Sequence, residues 1–184
     1  MLIVVTGRPG SGKSTLAHKL ADRIHCPAIC RDEFKEGYVH THGQSHESPT
    51  GDTNLAVLEA FFGAIDLLVS RKISLIAEAA FQHKVWARRL EPLMDRTRLR
   101  VVVCTLDPML ARERRIQRAL EDPARERFHG DTDVRMFKQG LKVGPGGEYQ
   151  PPEMPVPTLH VDTTEAYEPG IEEIVAFLMR PSPN

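Results

Sequence analysis

The sequence predicts an α/β fold, a parallel five-stranded sheet sandwiched between layers of helices. Three observations carry this expectation. Short apolar runs recur along the chain, as strands covered on both faces require. Stretches with helical spacing separate them, so successive strands run parallel through right-handed crossovers. The length of 184 residues, 41% hydrophobic and 27% charged, suits one domain with a sizeable core.

Taken in order, residues 2–6 open the sheet with Leu2-Ile3-Val4-Val5, a central strand. The next helix sets Leu16, Ala17, Leu20, Ala21 and Ile24 on one face, and Pro27 ends that segment. Ala28-Ile29-Cys30 is the second strand, delivering Arg31-Asp32-Glu33-Phe34-Lys35 to its carboxyl end. Residues 37–51 are polar, with His40, His42, His46 and Pro49, and read as a mobile loop. Leu55, Leu58, Phe61, Phe62, Ile65, Leu68 and Val69 give a helix over 52–70, with Asp52 as a candidate N-cap. Ile73 to Ala77 is the third strand, ending in Glu78, and a helix bent at Pro92 follows over 83–95. Residues 99–106 form the fourth strand. Asp107-Pro108 starts a helix running to about Leu120. A short helix near 132–139 precedes an irregular, glycine- and proline-rich connection over 140–157. Thr158 to Asp162 is the fifth strand. Ile171, Ile174, Val175, Phe177 and Leu178 mark a closing amphipathic helix.

The chemistry centres on Gly7-Arg8-Pro9-Gly10-Ser11-Gly12-Lys13-Ser14-Thr15. Gly7, Gly12, Lys13 and Ser14 meet the spacing of a phosphate-binding P-loop, and strand, turn and helix supply its context. The glycines let backbone N–H groups approach a polyphosphate at a helix N-terminus. Lys13, expected in a solvated loop, is placed to reach the β- and γ-phosphates of ATP, and Ser14 to ligate magnesium.

Further residues lie where ligands bind in open α/β sheets, at the carboxyl ends of strands. Asp32 is either a carboxylate that orients an acceptor hydroxyl and takes its proton, or a cap on a following helical turn. Lys35 either balances a substrate charge or is a solvated surface lysine. Glu78 either ligates magnesium through water, meets the acceptor, or is a plain surface carboxylate. Arg114 and Arg118 fall at i, i+4 with Arg115 beside them, and at least one is expected to clamp the transferring phosphoryl group. The alternative is an ion-pair helix using Glu113, Glu121 and Glu126. The three histidines lack the spacing of a helical metal pair and read as substrate contacts or plain surface.

Composition narrows the partners. A net charge of −1 gives no global basic field for gripping long nucleic acid. Cys26, Cys30 and Cys104 form no disulfide framework and read as free thiols of a cytoplasmic protein, with Cys104 in the core. The N-terminus enters the first strand directly, so no signal peptide is expected. No apolar run is expected to approach the roughly 20 residues that span a bilayer.

GRPGSGKST, CRDEFK, LIAEAAF and an arginine-rich segment before VDTT together resemble the small P-loop kinases. These include the kinase half of phage-type polynucleotide 5′-kinases, chloramphenicol phosphotransferase and zeta toxin. The resemblance covers nearly the whole chain. It implies a P-loop NTPase sandwich with strand order 2-3-1-4-5 and a mobile lid at about 108–140. It also implies Asp32 as catalytic base, Glu78 at the acidic position after the third strand, and Arg118 as lid arginine, with Arg114 or Arg115 next. Lys35 stands where the polynucleotide kinases carry arginine, and Glu78 where the family often has aspartate. The expected function is an ATP- and magnesium-dependent kinase acting on a hydroxyl of a small polar molecule. Polynucleotide 5′-hydroxyl kinase is the alternative acceptor, and a non-catalytic nucleotide-binding module the alternative class. Segment 37–54 carries Glu47 and Asp52 but no lysine or arginine, which favours a neutral polyhydroxyl or amine-bearing acceptor over a phosphodiester track.

Overall fold

Five strands form one all-parallel sheet in the order β2-β3-β1-β4-β5: β1 (Leu2–Gly7), β2 (Ala28–Cys30), β3 (Leu75–Ala79), β4 (Leu99–Thr105) and β5 (Thr158–Asp162). Around them lie α1 (Lys13–Ile24), α2 (Arg31–His42), α3 (Asp52–Ser70), α4 (His83–Leu90), α5 (Pro108–Glu121), α6 (Glu126–His129), α7 (Thr132–Lys138) and α8 (Ile171–Met179). The structure, a computed structural model, describes residues 1–43, 52–129, 132–141, 144 and 147–181, and at 52, 124, 126, 132 and 133 the backbone alone. The expected sandwich and strand order are therefore present.

The apolar run of β1 is buried along its whole length because helices cover both faces. Alternate residues serve opposite layers. Leu2 and Val4 meet Phe61 and Ile65 of α3 and Trp86 and Leu90 of α4. Ile3 and Val5 meet Leu16 and Leu20 of α1 and Ile174 and Leu178 of α8. Phe61 is fully buried, with edge contacts to Phe34, Phe62, Phe81 and Trp86, so truncating it to Ala would cost about 3–5 kcal/mol.

Three boundaries differ by more than a residue or so from the sequence expectation. Strand β3 begins at Leu75 and carries Glu78 inside it, since Val5 and Cys30 both hold Glu78 in register. Residues 37–42 continue α2 instead of forming a loop: Val39 is buried, and Gly43 closes the helix in the left-handed conformation that glycine tolerates. Helix α4 ends at Leu90, and a 3-10 turn over Glu91–Leu93 takes up Pro92. The loop expected over 37–51, with His46 and Pro49, otherwise falls outside the described residues, as does the side chain of Asp52.

Helix α3 corrects another expectation. Over Thr53–Ser70 only Glu59 and Asp66 are charged, so by length and composition it could cross a membrane. Here its Val57, Phe61, Phe62, Ile65 and Val69 are buried within the fold.

The irregular connection before β5 is anchored at the carboxyl end of β3. The Gln150 carbonyl accepts from the His83 N–H at 2.8 Å, and the Gln150 N–H donates to Gln82 Oε1 at 2.7 Å. Met154 and Val156 pack against the core beneath α3 and α4. Tyr149 reaches the Thr6 hydroxyl at 2.5 Å. That hydroxyl donates to the Ala79 carbonyl at 2.8 Å and accepts from Trp86 Nε1 at 3.0 Å, and the Tyr149 hydroxyl also donates to the Phe81 carbonyl at 3.4 Å.

Candidate phosphate and acceptor site

The loop between β1 and α1 is built for close backbone approach. Gly10 lies at φ +89°, and a Cβ there would stand 1.9 Å from the Ala111 carbonyl oxygen. Gly12, at φ +75°, occupies the N-cap of α1 with no side-chain cap, and the space where a Cβ would stand is open for 4 Å around. The first N–H groups of α1 thus meet no capping side chain, the arrangement an anion takes. Ser11 Oγ is buried without a hydrogen-bond partner, while the Ser11 carbonyl accepts from Thr163 Oγ1 at 2.9 Å. Arg8 and Pro9 form the rim of the loop against adjoining cavities, and Thr15 is exposed in the first turn of α1.

One carboxylate ties this loop to the sheet. Ser14 Oγ donates to Glu78 Oε2 at 2.9 Å, and Lys13 Nζ stands 3.4 Å from Glu78 Oε1. Glu78 is 2% exposed and Lys13 7%. Lys13 is therefore not in a solvated loop: it opens α1 and is buried against its counter-ion. Glu78 is likewise no surface glutamate, because its strand is pinned between β2 and β1. An ammonium and a hydroxyl held by one buried carboxylate are a donor set that fits a polyphosphate with a hard cation.

Beside the loop lies a cavity of about 370 Å³ whose lining includes Lys13, Ser14, Asp32, Lys35, Arg115 and Arg118. Asp32 stands in the first turn of α2 and lines this cavity, but the N-cap of α2 is Cys30 and no side chain caps it, so the capping alternative is not met. Burial works to raise its pKa, but Lys13, His129 and Arg31 outweigh burial and hold the carboxyl below its ordinary value. Arg31 donates to Asp32 at 3.3 Å and to Asn54 at 2.9 Å, bracing the start of α2 against α3. Lys35 is 7% exposed and lines the cavity, so the solvated-surface expectation fails.

The arginines of α5 divide between two faces. Asp107 caps the helix, accepting from the N–H groups of Met109 and Leu110. Ala111 is pressed against Gly10, so positions 115 and 118, one and two turns on, face the loop. Arg114 is turned the other way and donates to the carbonyls of Thr163, at 2.8 Å, and Thr164. The structure thus brings Arg115 and Arg118 to the cavity and withholds Arg114, whose donors are committed to the loop after β5. Spacing alone pairs Arg114 with Arg118, because nothing in it reveals that Ala111 is the contact residue.

Several residues at the site carry little signal in the sequence. Glu36 of α2 accepts from His129 Nε2 at 2.7 Å and has Arg125 Nη1 at 3.9 Å, joining α2 to the segment after α5. His40 packs against Phe128 with ring centroids 5.0 Å apart. Glu36 is one helical turn beyond Asp32, a signal visible only if α2 is carried past residue 37. Tyr149, whose hydroxyl burial pushes its pKa up to about 12, has no local signal. Tyr149 lines, with Arg8, Arg112 and Arg115, a second cavity of about 270 Å³ on the other side of Pro9 and Ala80. The cysteines are free thiols, as expected, and burial pushes Cys104 up to about 12.

The chain resembles known structures across nearly its whole length. A candidate kinase from Chloroflexus aurantiacus j-10-fl is 24% identical with a TM-score of 0.74, covering 96% of this chain and 92% of that one. The APS kinase of Mycobacterium tuberculosis, solved in complex with AMPPNP and APS, is 18% identical with a TM-score of 0.64, covering 97% of each chain. A gluconokinase from Sinorhizobium meliloti 1021 is 20% identical with a TM-score of 0.56, covering 96% of this chain and 90% of that one. At these identities the likeness establishes a P-loop kinase fold. No curated protein matches the sequence. The specific likeness to polynucleotide kinase, chloramphenicol phosphotransferase or zeta toxin finds no counterpart among these relatives. The family model described as AAA domain matches residues 2–136, and the chain belongs to that family of P-loop proteins.

Proposed function

We propose that the protein is an ATP- and magnesium-dependent phosphotransferase acting on a hydroxyl group of a small polar molecule. One observation carries this reading: Asp32 shares a single cavity with Lys13 and Ser14, beneath Arg115 and Arg118. A nucleotide switch has no task for a carboxylate placed across from its phosphate loop. A kinase needs one there to orient the acceptor.

Bound ATP would supply the phosphoryl group, and magnesium would neutralise charge between the β- and γ-phosphates. The loop amides and Lys13 would hold the phosphates, and Ser14 with Glu78 would hold the metal. In the transfer, the acceptor oxygen bonds to the γ-phosphorus as the bond to the β,γ-bridging oxygen breaks, and ADP leaves. Asp32, ionised at neutral pH, accepts a hydrogen bond from the acceptor hydroxyl and aligns its oxygen. The acceptor proton passes to this carboxylate or through it to water. Arg115 and Arg118 neutralise the charge spreading over the transferring group. Residues at about 108–140, of which 130 and 131 lie outside the described residues, would act as a lid, and Arg125 and His129 reach Glu36 of α2.

A small acceptor suits a cavity of about 370 Å³. The gluconokinase and APS kinase among the structural neighbours, and a shikimate kinase from Aquifex aeolicus vf5 with a TM-score of 0.53, are named for small molecules. The deciding experiment measures nucleotide consumption with panels of sugars, nucleosides, hydroxy acids and aminoglycoside-like compounds, and with a 5′-hydroxyl oligonucleotide, under one salt series. Acceptor-dependent ADP release with a small compound is expected. Efficient oligonucleotide phosphorylation with steep salt dependence would overturn the choice of acceptor. ATP binding without acceptor-dependent turnover would overturn the enzyme reading.

A further inference from the structure

At the edge of this cavity, where Cys30 and Glu33 join its lining, three side chains of different chemistry converge. His18 projects from α1, Cys30 ends β2, and Glu33 stands in the first turn of α2. His18 Nε2 is 2.7 Å from Glu33 Oε1 and 3.5 Å from Cys30 Sγ. One ligand atom from each of the three lies within 4.8 Å of the others. The phosphate chemistry described above uses none of them.

We propose that His18, Cys30 and Glu33 form a site for a zinc-class divalent cation, beside the magnesium position at Ser14 and Glu78 but with its own ligand set. The donor set is the first argument. An imidazole nitrogen, a thiolate and a carboxylate match a borderline-soft ion, whereas magnesium and calcium take oxygen alone. Spacing is the second. With Zn–S near 2.3 Å and Zn–N near 2.0 Å, a tetrahedral site sets sulfur and nitrogen about 3.5 Å apart. The His18–Cys30 separation of 3.5 Å already has that value. The nitrogen–oxygen edge of such a site is about 3.4 Å, so Glu33 must withdraw by roughly 0.7 Å from His18. The Glu33 side chain is 54% exposed and has the freedom to do so.

Access and rigidity are the third argument. Cys30 is 1% exposed and forms the floor, while His18 and Glu33 form a half-exposed mouth through which an ion and a water ligand can enter. All three residues sit on helix or strand, His18 on α1, Cys30 on β2 and Glu33 on α2, so little backbone ordering is required. Binding converts the Cys30 thiol to a thiolate on the metal, and its proton leaves to solvent. Occupancy would cross-link α1 to the turn that carries Asp32.

The test uses untagged full-length protein titrated with cobalt(II) as a spectroscopic substitute, then with zinc in competition. A thiolate-to-cobalt charge-transfer band is expected, displaced by zinc and unaffected by excess magnesium. Cys30→Ser should abolish the band, and His18→Ala should weaken binding roughly tenfold or more. Circular dichroism of each variant checks folding. Glu33→Gln, on an exposed position, serves as the third variant should Cys30→Ser fail to fold. A band that survives Cys30→Ser would place the metal on Cys26 or Cys104 and overturn the proposal. The absence of any thiolate band in the parent protein, or equal binding by parent, His18→Ala and Glu33→Gln, would overturn it as well.

Discussion

Replacing Glu78 by Gln tests whether one buried carboxylate holds the phosphate loop together. Gln keeps the shape and can still accept from Ser14, but it removes the counter-ion of Lys13. At the observed 3.4 Å, the Coulomb attraction is about 5 kcal/mol for an effective dielectric of 20. Desolvation of both groups offsets much of this, yet removing one partner of a buried pair strands the other, at a cost of about 3–5 kcal/mol. The Gln carbonyl still offers Lys13 a neutral acceptor, so we expect a loss of about 2–4 kcal/mol. For a chain of this length that corresponds to a fall in Tm of roughly 5–15 °C. Nucleotide should reverse the loss selectively, because phosphates give the stranded ammonium a new partner. The assay is thermal unfolding by circular dichroism with and without ADP, followed by a transfer assay in magnesium. Turnover should fall on the order of 10²-fold through loss of the carboxylate proposed to hold the metal. A variant that melts within about 1 °C of the parent without nucleotide would refute the reasoning, since Lys13 would then not depend on Glu78. Lys13→Met is the mirror case. It should also destabilise the fold, and the double variant should cost less than the two single changes together.

Asp32→Asn should lower transfer by a factor on the order of 10² or more while leaving ATP affinity nearly unchanged, measured by turnover and by calorimetric titration. Its depressed carboxyl contributes stability that is fully present above the unfolded value near pH 4 and lost as pH falls through the lower folded value; no acid limb from Asp32 should therefore appear above about pH 4. Arg118→Ala and Arg115→Ala should slow transfer with the fold retained, and Arg114→Ala should lower Tm, because its donors close the contact between α5 and the loop after β5. Equal transfer rates in the first two would leave α5 a surface helix. Tyr149→Phe should cost about 0.5–1.5 kcal/mol in urea unfolding, since Thr6 keeps its bonds to Ala79 and Trp86 and only the Tyr149 hydroxyl's contacts with Thr6 and Phe81 are lost. An unchanged midpoint would show that the 147–157 segment is held by its backbone bonds instead.

The sheet and the phosphate loop are legible in the sequence because their signals are local. A both-faces-buried strand is an unbroken apolar run, and the loop is a fixed glycine spacing between strand and helix, so β1, β4 and α1 follow from a few adjacent residues. The polar side of the site is less legible because its signals are non-local. Glu78 looks terminal because Leu75 to Ala77 is the apolar part of β3, and only pairing with Val5 and Cys30 shows that the strand continues through the charge. The polar stretch after Lys35 looks like a loop because its buried residue, Val39, is isolated in sequence; α2 exists because Val39 reaches the interior and Tyr38 stacks on His42. Partners such as Glu36 with His129, or Thr6 with Tyr149, lie 93 and 143 positions apart and carry no shared motif.

This division explains why expectations about burial fail where charge is concerned. The general tendency of lysine to be exposed assigns positions 13 and 35 to solvent. Both are in fact 7% exposed, at the seam where α1, α2 and the end of the sheet meet. A buried ammonium is tolerated only beside an anion, and Lys13 has Glu78. The same seam carries Ser14, Asp32, Arg115 and Arg118 around one cavity. Among the described residues, Lys13, Lys35 and Glu78 are thus buried at the place where, on the proposed reading, a polyphosphate and its metal would be held, while Arg100 and Arg112 are buried elsewhere. On the proposed function the reason for the arrangement lies in binding, because a core packed for stability alone would exclude these groups.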